Sequence, residues 1–169
     1  MIDNPDEIAV FEKVVHRYFS FLEADFGFRS IGIRTENDDP REAYVAAKFR
    51  NGESTIQIAW GPFTYMLNIL IRIENSGVTR HERSVAFEPF LEFSSEGRTV
   101  SCVPQIYPRM SAASIVRALK KREQVFADGY GGVAGLLASR LRTFLPMILE
   151  SSAETIRAFH AWYELHNGS

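Results

Sequence analysis

Apolar residues alternate with polar ones along the middle of the chain, and this pattern predicts three antiparallel strands within residues 43–74. In the third strand the apolar residues occupy every second position, at Tyr65, Leu67, Ile69, Ile71 and Ile73. The two earlier strands carry similar sets, Val45, Ala47 and Phe49 and then Ile56, Ile58 and Trp60. Asn51-Gly52 predicts a tight hairpin between them, because both residues tolerate the positive φ of such turns. Gly61-Pro62 turns the chain into the third strand, so a meander is expected.

Apolar residues at three- and four-residue spacing predict a long amphipathic helix over residues 5–26. Asp3 or Asn4 is expected to cap this helix, and Pro5 suits its first turn. Gly27 suits the left-handed conformation that often follows a helix. The apolar stripe is expected to pack on the sheet and comprises Ile8, Phe11, Val15, Tyr18, Phe19, Leu22 and Phe26.

The rest of the chain predicts a short strand at 31–34 and three helices after residue 110. The first is expected to begin with Ser111 as its cap and to run to about residue 126, with Ile115, Leu119 and Phe126 as apolar positions. The second is expected over 133–149, where Pro146 disturbs a turn, and the capping-box spacing of Ser151 and Glu154 favours the start of a third. Residues 84–93 favour a short helix with Pro89 in its first turn, and residues 99–107 an edge strand or an extended covering segment. The predicted fold class is α+β: a long N-terminal helix packed on an antiparallel β-meander and followed by C-terminal helices. A single globular domain of residues 1–169 is expected.

Charge and cysteine content narrow the function classes. The chain has a formal net charge of −2, which does not favour general binding of nucleic acid or of a membrane surface. A lone cysteine, Cys102, cannot form an internal disulfide, and the acidic N-terminus does not resemble a secretion signal, so a cytoplasmic location is expected. The most apolar helix, 133–149, is interrupted by Arg140, Arg142 and Pro146, so no membrane span is expected.

The candidate chemical groups are few. No two histidines have the i,i+4 spacing of metal ligands on one helical face, so no metal or cofactor is expected. His160 and Glu164 have that spacing and would suit acid–base chemistry, although a surface pair beside Trp162 is favoured. Cys102 lies among valines, which favours an unreactive thiol over a nucleophile. The glycines at 129–132 follow a helix and lack a lysine, which favours a helix connection over a phosphate loop. No catalytic residue is predicted.

Charged residues cluster at two places. Glu36, Asp38, Asp39 and Glu42 form an acidic loop beside the predicted sheet. A solvated loop is the simpler interpretation, and docking of a basic partner protein is the functional one. Arg117, Lys120, Lys121 and Arg122 form the basic counterpart near a predicted helix end, where they complement the helix dipole. They lack interleaved aromatic residues, so a nucleic-acid surface is not expected.

The order of these elements resembles a group of small bacterial α+β proteins. The resemblance rests on the Phe26-Gly27-Phe28 corner, the Asn51-Gly52 turn and the C-terminal helices between residues 136 and 162. Some proteins of this pattern are immunity proteins encoded beside secreted toxins. The resemblance carries over no functional residue.

Three hypotheses follow. The first is a non-enzymatic protein-binding module, an immunity or antitoxin-like protein or an accessory subunit of a bacterial defence system, which contacts a partner through the acidic loop. The second is a small enzyme or small-molecule-binding protein with a pocket between the sheet and the C-terminal helices, using His160, Glu164, Tyr163 and Cys102. The third is a homo-oligomer that pairs through the third strand as an exposed edge, with Trp60 and Tyr65 exposed.

Overall fold

The computed structural model describes residues 5–36, 44–52, 54–61, 66–74 and 77–166. It confirms the α+β class, with helices on both sides of the strands in sequence. The elements in chain order are α1 (Pro5–Phe19), α2 (Phe21–Ala24), β1 (Arg29–Glu36), β2 (Tyr44–Asn51), β3 (Ser54–Gly61), β4 (Met66–Arg72), β5 (Ser84–Ala86), α3 (Phe87–Ser94), α4 (Ala112–Val125), α5 (Gly131–Leu149) and α6 (Ala153–Leu165).

The strands form an antiparallel sheet in the order β1-β2-β3-β4-β5, as expected for a meander. Its apolar face follows the predicted alternation, since Leu67, Ile69 and Ile71 on β4 are buried beside the β3 residues Ile56 and Ile58. Tyr65 lies outside the described residues. The hairpin turn was also predicted correctly: Asn51 pairs with Ser54, and Gly52 has a φ of +60°.

Two predictions about the sheet are wrong. The third predicted strand, β4, is not an edge, because β3 and β5 pair with its two sides. Trp60 is buried rather than exposed, with its ring stacked on Tyr130 at 4.4 Å and edge-on to Phe126 at 5.2 Å.

The two outer strands differ from the sequence prediction in length and number. The strand predicted at 31–34 is the central part of β1, which is longer. Three-residue β5 is too short to show an alternating pattern, which is why the sequence did not reveal it.

The N-terminal helix ends earlier than predicted. α1 stops at Phe19, and α2 restarts after Ser20. The predicted role of Gly27 is confirmed, because its φ is +68° and the next residue, Phe28, donates its N–H to the Leu22 carbonyl at 2.9 Å. α1 contacts both β2 and α5, so the helix covers the apolar face of the sheet as expected.

α5 is a core helix. By length and composition alone it is apolar enough to cross a membrane. One face is buried in the core, through Ala134, Leu137, Ala138, Leu141, Leu145 and Ile148. Its arginines face other elements: Arg142 forms an ion pair with Asp25 at 2.6 Å, and Arg140 reaches α3. The helix continues through Pro146, although this residue has no N–H to donate.

The weakly patterned middle of the chain combines a strand, a helix and an irregular segment. Residues 84–93, predicted as a helix, begin as β5 and continue as α3, with Pro89 in the first helical turn as expected. Residues 99–107 are irregular, so of the two alternatives the extended covering segment is the one found. We call residues 97–110 the covering segment.

Candidate functional site

The covering segment is attached to α3 by a buried carboxylate. Glu88 is only 5 % exposed. Its two oxygens accept hydrogen bonds from the Cys102 N–H, from the Val103 N–H at 3.0 Å and from the Gln105 side-chain amide at 3.2 Å. Because an irregular segment lacks a ladder to satisfy its N–H groups, these bonds replace the pairing that a strand would supply.

Arg140 connects the same carboxylate to α5. Its Nη1 lies 3.2 Å from Oε1 of Glu88 and also donates to the Val100 carbonyl at 2.7 Å. Burial raises the pKa of the Glu88 carboxyl, while the two backbone donors and the positive charge of Arg140 act in the opposite direction. Glu88 therefore joins α3, α5 and the covering segment at one point.

A second buried charge attaches α4 to the covering segment. Arg122 is 6 % exposed, and its Nε donates to the Pro104 carbonyl at 2.7 Å. Burial lowers the pKa of the guanidinium. Burial therefore separates Arg122 from the other three members of the basic cluster noted in the sequence, Arg117, Lys120 and Lys121, which are exposed. The spacing of Arg122 from buried Ala118 and Phe126, four residues on either side, is the signal that would have placed it on the inner face.

An open groove of about 830 Å³ runs between the covering segment and α4. The covering segment contributes both apolar side chains, among them Val100 and Met110, and polar ones, among them Ser101 and Gln105, and Val100 is 75 % exposed. α4 supplies Arg117, Lys121 and Val125, the last 38 % exposed. Leu119, one of the apolar positions noted for this helix in the sequence, is 37 % exposed and does not line the groove. α4 therefore presents cationic and apolar side chains side by side.

An aromatic and acidic cluster lies at the α3 side of the groove. The Tyr107 hydroxyl donates to Glu92, whose other oxygen lies 3.4 Å from Nε2 of His166. The His166 ring stacks on Trp162 at 4.2 Å. Burial, followed by the hydrogen bond to Glu92, raises the pKa of Tyr107. Glu92 therefore accepts the Tyr107 hydrogen bond and also contributes a carboxylate to the groove wall.

The structure does not assemble the four groups proposed for an enzyme. Cys102 lines the groove, whereas Tyr163 lines a different cavity. Nε2 of His160 lies 2.9 Å from the Glu82 carbonyl oxygen, and Glu164 is exposed on the surface of α6. Burial and the nearby charge of Glu88 raise the pKa of the Cys102 thiol to about 12, so it stays protonated at neutral pH. Because the thiolate is the reactive form, Cys102 is a poor nucleophile here.

The cavity that Tyr163 lines has a volume of about 380 Å³. It lies between the sheet and the C-terminal part of the chain, where the sequence predicted a pocket. Asn68 on β4 and Arg122 on α4 contribute polar groups, and Met66 and Ile106 contribute apolar surface. This cavity is smaller than the groove and has a different composition of side chains.

Only part of the predicted acidic loop can be located. Glu36, at the end of β1, accepts a hydrogen bond from the Tyr44 hydroxyl at 2.7 Å and forms an ion pair with Lys48. The hydrogen bonds from Lys48 and Tyr44 lower the pKa of its carboxyl. Asp38, Asp39 and Glu42 lie outside the described residues. Across the ranges that the structure describes, no three His, Cys, Asp or Glu side chains are grouped so as to hold a metal ion.

Fold and site together define an α+β protein with a meander sheet and an open, partly basic groove beside it. Comparisons with protein-family models, with curated proteins and with solved structures found no match.

Proposed function

We propose that this protein is a non-enzymatic protein-binding module and that the groove is its contact surface. The observation that carries the proposal is the groove itself, in which Val100 and Val125 are exposed beside Arg117 and Lys121. Apolar groups rimmed by charges are typical of surfaces that bind other proteins. Because the groove is open to solvent, it suits a polypeptide better than a small molecule, which binds best in an enclosed pocket.

The attachment of the groove walls supports the same proposal. Glu88 connects one wall to α3 and α5, and Arg122 connects the two walls to each other through Pro104. A surface that is already ordered before binding loses less conformational entropy when the partner arrives. The covering segment therefore supplies a preformed wall even though it has no regular secondary structure.

Site-specific crosslinking tests this proposal. A photoreactive amino acid is introduced at position 100 or 125 of the full chain in its native cell. It should crosslink to a protein that the same amino acid at position 10 does not capture. Val10 is a suitable control because it is also exposed but lies on α1. The captured protein is then purified and its affinity measured by calorimetry. Val100→Asp/Val125→Asp should weaken binding about tenfold or more, and Val10→Asp should leave it unchanged. Equal affinities for all three chains would exclude the groove as the contact surface.

Within this class, we propose a toxin or a defence-complex subunit as the partner. The proposal is supported by the resemblance of the element order to immunity proteins. Co-expression with the product of the adjacent gene should yield a co-purified complex and should protect cells from that product. The acidic loop remains a proposed second contact, and Asp38→Lys/Asp39→Lys should slow association more at low salt than at high salt. An unchanged association rate would exclude the loop.

A second candidate function, binding of a small molecule, is favoured by the cavity beside Tyr163. Its volume of about 380 Å³ lies within the range of ligand pockets, and Asn68, Arg122 and Tyr163 contribute polar groups to it. A thermal-shift screen of metabolites would test this function. A stabilising compound should lose its effect in Ile106→Trp, which fills the cavity, and should keep it in Val100→Ser, which alters only the groove. An equal shift in both variants would place the compound elsewhere.

A further inference from the structure

The groove is bordered by the most one-sided charge distribution that we find in the chain. Residues 97–122 include six basic residues and no acidic one. Arg122 is buried at the junction with Pro104, and the other five are exposed: Arg98, Arg109, Arg117, Lys120 and Lys121. These residues belong to the covering segment and to α4, which are the two walls of the groove.

Two of these cations project into the groove from one helical face. Arg117 and Lys121 are four residues apart on α4, so their side chains are neighbours. Lys120 does not line the groove. The spacing therefore sets two positive charges beside the apolar surface of Val100 and Val125 rather than distributing them around the helix.

The acidic groups near the groove do not cancel these charges. Among the described residues that line it, Glu92 is the one carboxylate, so one anion faces the two cations Arg117 and Lys121. Glu96 and Glu123 bound the basic stretch in sequence, and neither lines the groove. The lining of the groove therefore keeps a net positive charge beside the exposed aliphatic side chains of Val100 and Val125.

We propose that the groove binds an acidic segment of the partner protein in which carboxylates alternate with aliphatic side chains. This inference rests on the proposed function and adds the chemistry of the partner. The carboxylates would pair with Arg117 and Lys121, and the aliphatic groups would cover Val100 and Val125. Arginine and lysine in a partly apolar setting bind carboxylates more strongly than they do in open water.

Protein is favoured over nucleic acid as the occupant. Single-stranded nucleic acids bind where exposed aromatic rings accompany the cations and stack with the bases. Tyr107 is the aromatic residue found among the described lining residues, and it is buried with its hydroxyl bonded to Glu92. The exposed apolar groups of the groove are aliphatic, which suits leucine or valine side chains instead.

An unbiased peptide library tests the inference. Displayed random peptides of about twelve residues, long enough to occupy a groove, are selected on the full chain at low salt. We expect enrichment of peptides rich in Asp and Glu interspersed with aliphatic residues. Arg117→Glu/Lys121→Glu should weaken their binding about tenfold or more, measured by fluorescence anisotropy. The control Lys13→Glu/Arg80→Glu carries the same change of net charge at exposed positions outside the groove and should leave affinity nearly unchanged. Thermal melts verify that both variants fold.

The possible outcomes separate this inference from the proposed function. In one outcome the selected peptides are not enriched in acidic residues, yet they bind Val100→Asp/Val125→Asp more weakly than the wild type. This outcome would overturn the inference and leave the proposed function standing. Peptides that bind all variants equally, or no selected peptide at all, would overturn both. Selected peptides that a single-stranded oligonucleotide displaces would reassign the groove to nucleic acid. A concentration-dependent dimer dispersed by Arg117→Glu/Lys121→Glu would assign the groove to a second copy of the chain and also overturn the inference.

Discussion

Replacing Glu88 by alanine tests whether one carboxylate holds the covering segment in place. The side chain is buried and accepts hydrogen bonds from two backbone N–H groups, from the Gln105 amide and from Arg140. Alanine removes all four acceptor interactions without adding a new group. The perturbation is therefore directed at the attachment of the segment, not at the sheet.

The expected loss of unfolding free energy follows from these contacts. A buried donor left without an acceptor costs about 1–3 kcal/mol, and removing one partner of a buried ion pair costs about 3–5 kcal/mol. Arg140 is 27 % exposed and keeps its bond to the Val100 carbonyl, so its share is smaller. The Val103 N–H belongs to a fully buried residue and has the highest cost. We expect a total of about 3–4 kcal/mol.

Urea unfolding at neutral pH, followed by tryptophan fluorescence, measures this loss. Glu12→Ala is the control, because Glu12 is exposed on α1, and it should change stability by less than about 0.5 kcal/mol. Amide exchange in Glu88→Ala should speed up at Cys102 and Val103 more than in β3. A loss below about 1 kcal/mol, or unchanged exchange at those amides, would refute the role of Glu88 as the attachment point.

Glu88→Gln gives the pH dependence of the same site. Because burial raises the pKa of Glu88 in the folded state, protonation of the carboxyl favours folding. The stability that this group contributes is present below the ordinary carboxyl pKa of 4.5 and is lost as the pH rises through the raised value. The stability of the wild type relative to Glu88→Gln should therefore fall as the pH increases above 4.5. A difference that is constant, or that grows with pH, would contradict this direction.

Three further predictions address other residues. Cys102, whose thiol pKa is raised to about 12, should react with a disulfide reagent much more slowly at pH 8 in the folded chain than in urea; equal rates would contradict its protonated state. Trp60→Ala should lower the free energy of unfolding, measured in urea, by about 3–5 kcal/mol, because it removes the contacts of the indole ring with Tyr130 and Phe126. A loss below about 1 kcal/mol would contradict the burial of Trp60. Glu36 has a lowered pKa, so its contribution is present above pH 4.5 and lost as the pH falls further. The loss of unfolding free energy on acidification should therefore be smaller in Glu36→Gln, by about 0.5 kcal/mol, because the Glu36–Lys48 pair is partly exposed. If wild type and variant lose the same stability at low pH, the pair does not contribute.

The elements with a strong period were predicted well. The alternation around Ile69 and Ile71 and the Asn51-Gly52 turn specify the central strands, because a shift by one residue would expose the whole apolar set. Ser111 was correctly expected to cap α4, and its hydroxyl accepts the Ser114 N–H at 3.2 Å. These features depend on residues close together in sequence, where local geometry alone is decisive.

The groove was not predicted, because no local pattern describes it. Residues 99–107 have no period, and their position depends on Glu88, Arg140 and Arg122, which are distant in sequence. The basic cluster on α4 was recognised, but its division into buried Arg122 and exposed Arg117 and Lys121 required the tertiary structure. The sequence showed which charges exist, and the packing determined which of them face solvent.

Sequence alone determined the α+β class, the meander, the left-handed turn at Gly27 and the cap of α4 at Ser111, since hydrophobic period and turn chemistry act over a few residues. Tertiary structure decided that Trp60 is buried, that β4 is central and that an irregular segment forms the wall of a groove. The physical reason is that burial and pairing of an isolated polar or aromatic residue depend on partners far along the chain. Where such partners meet is set by the packing of the whole core, not by any local spacing.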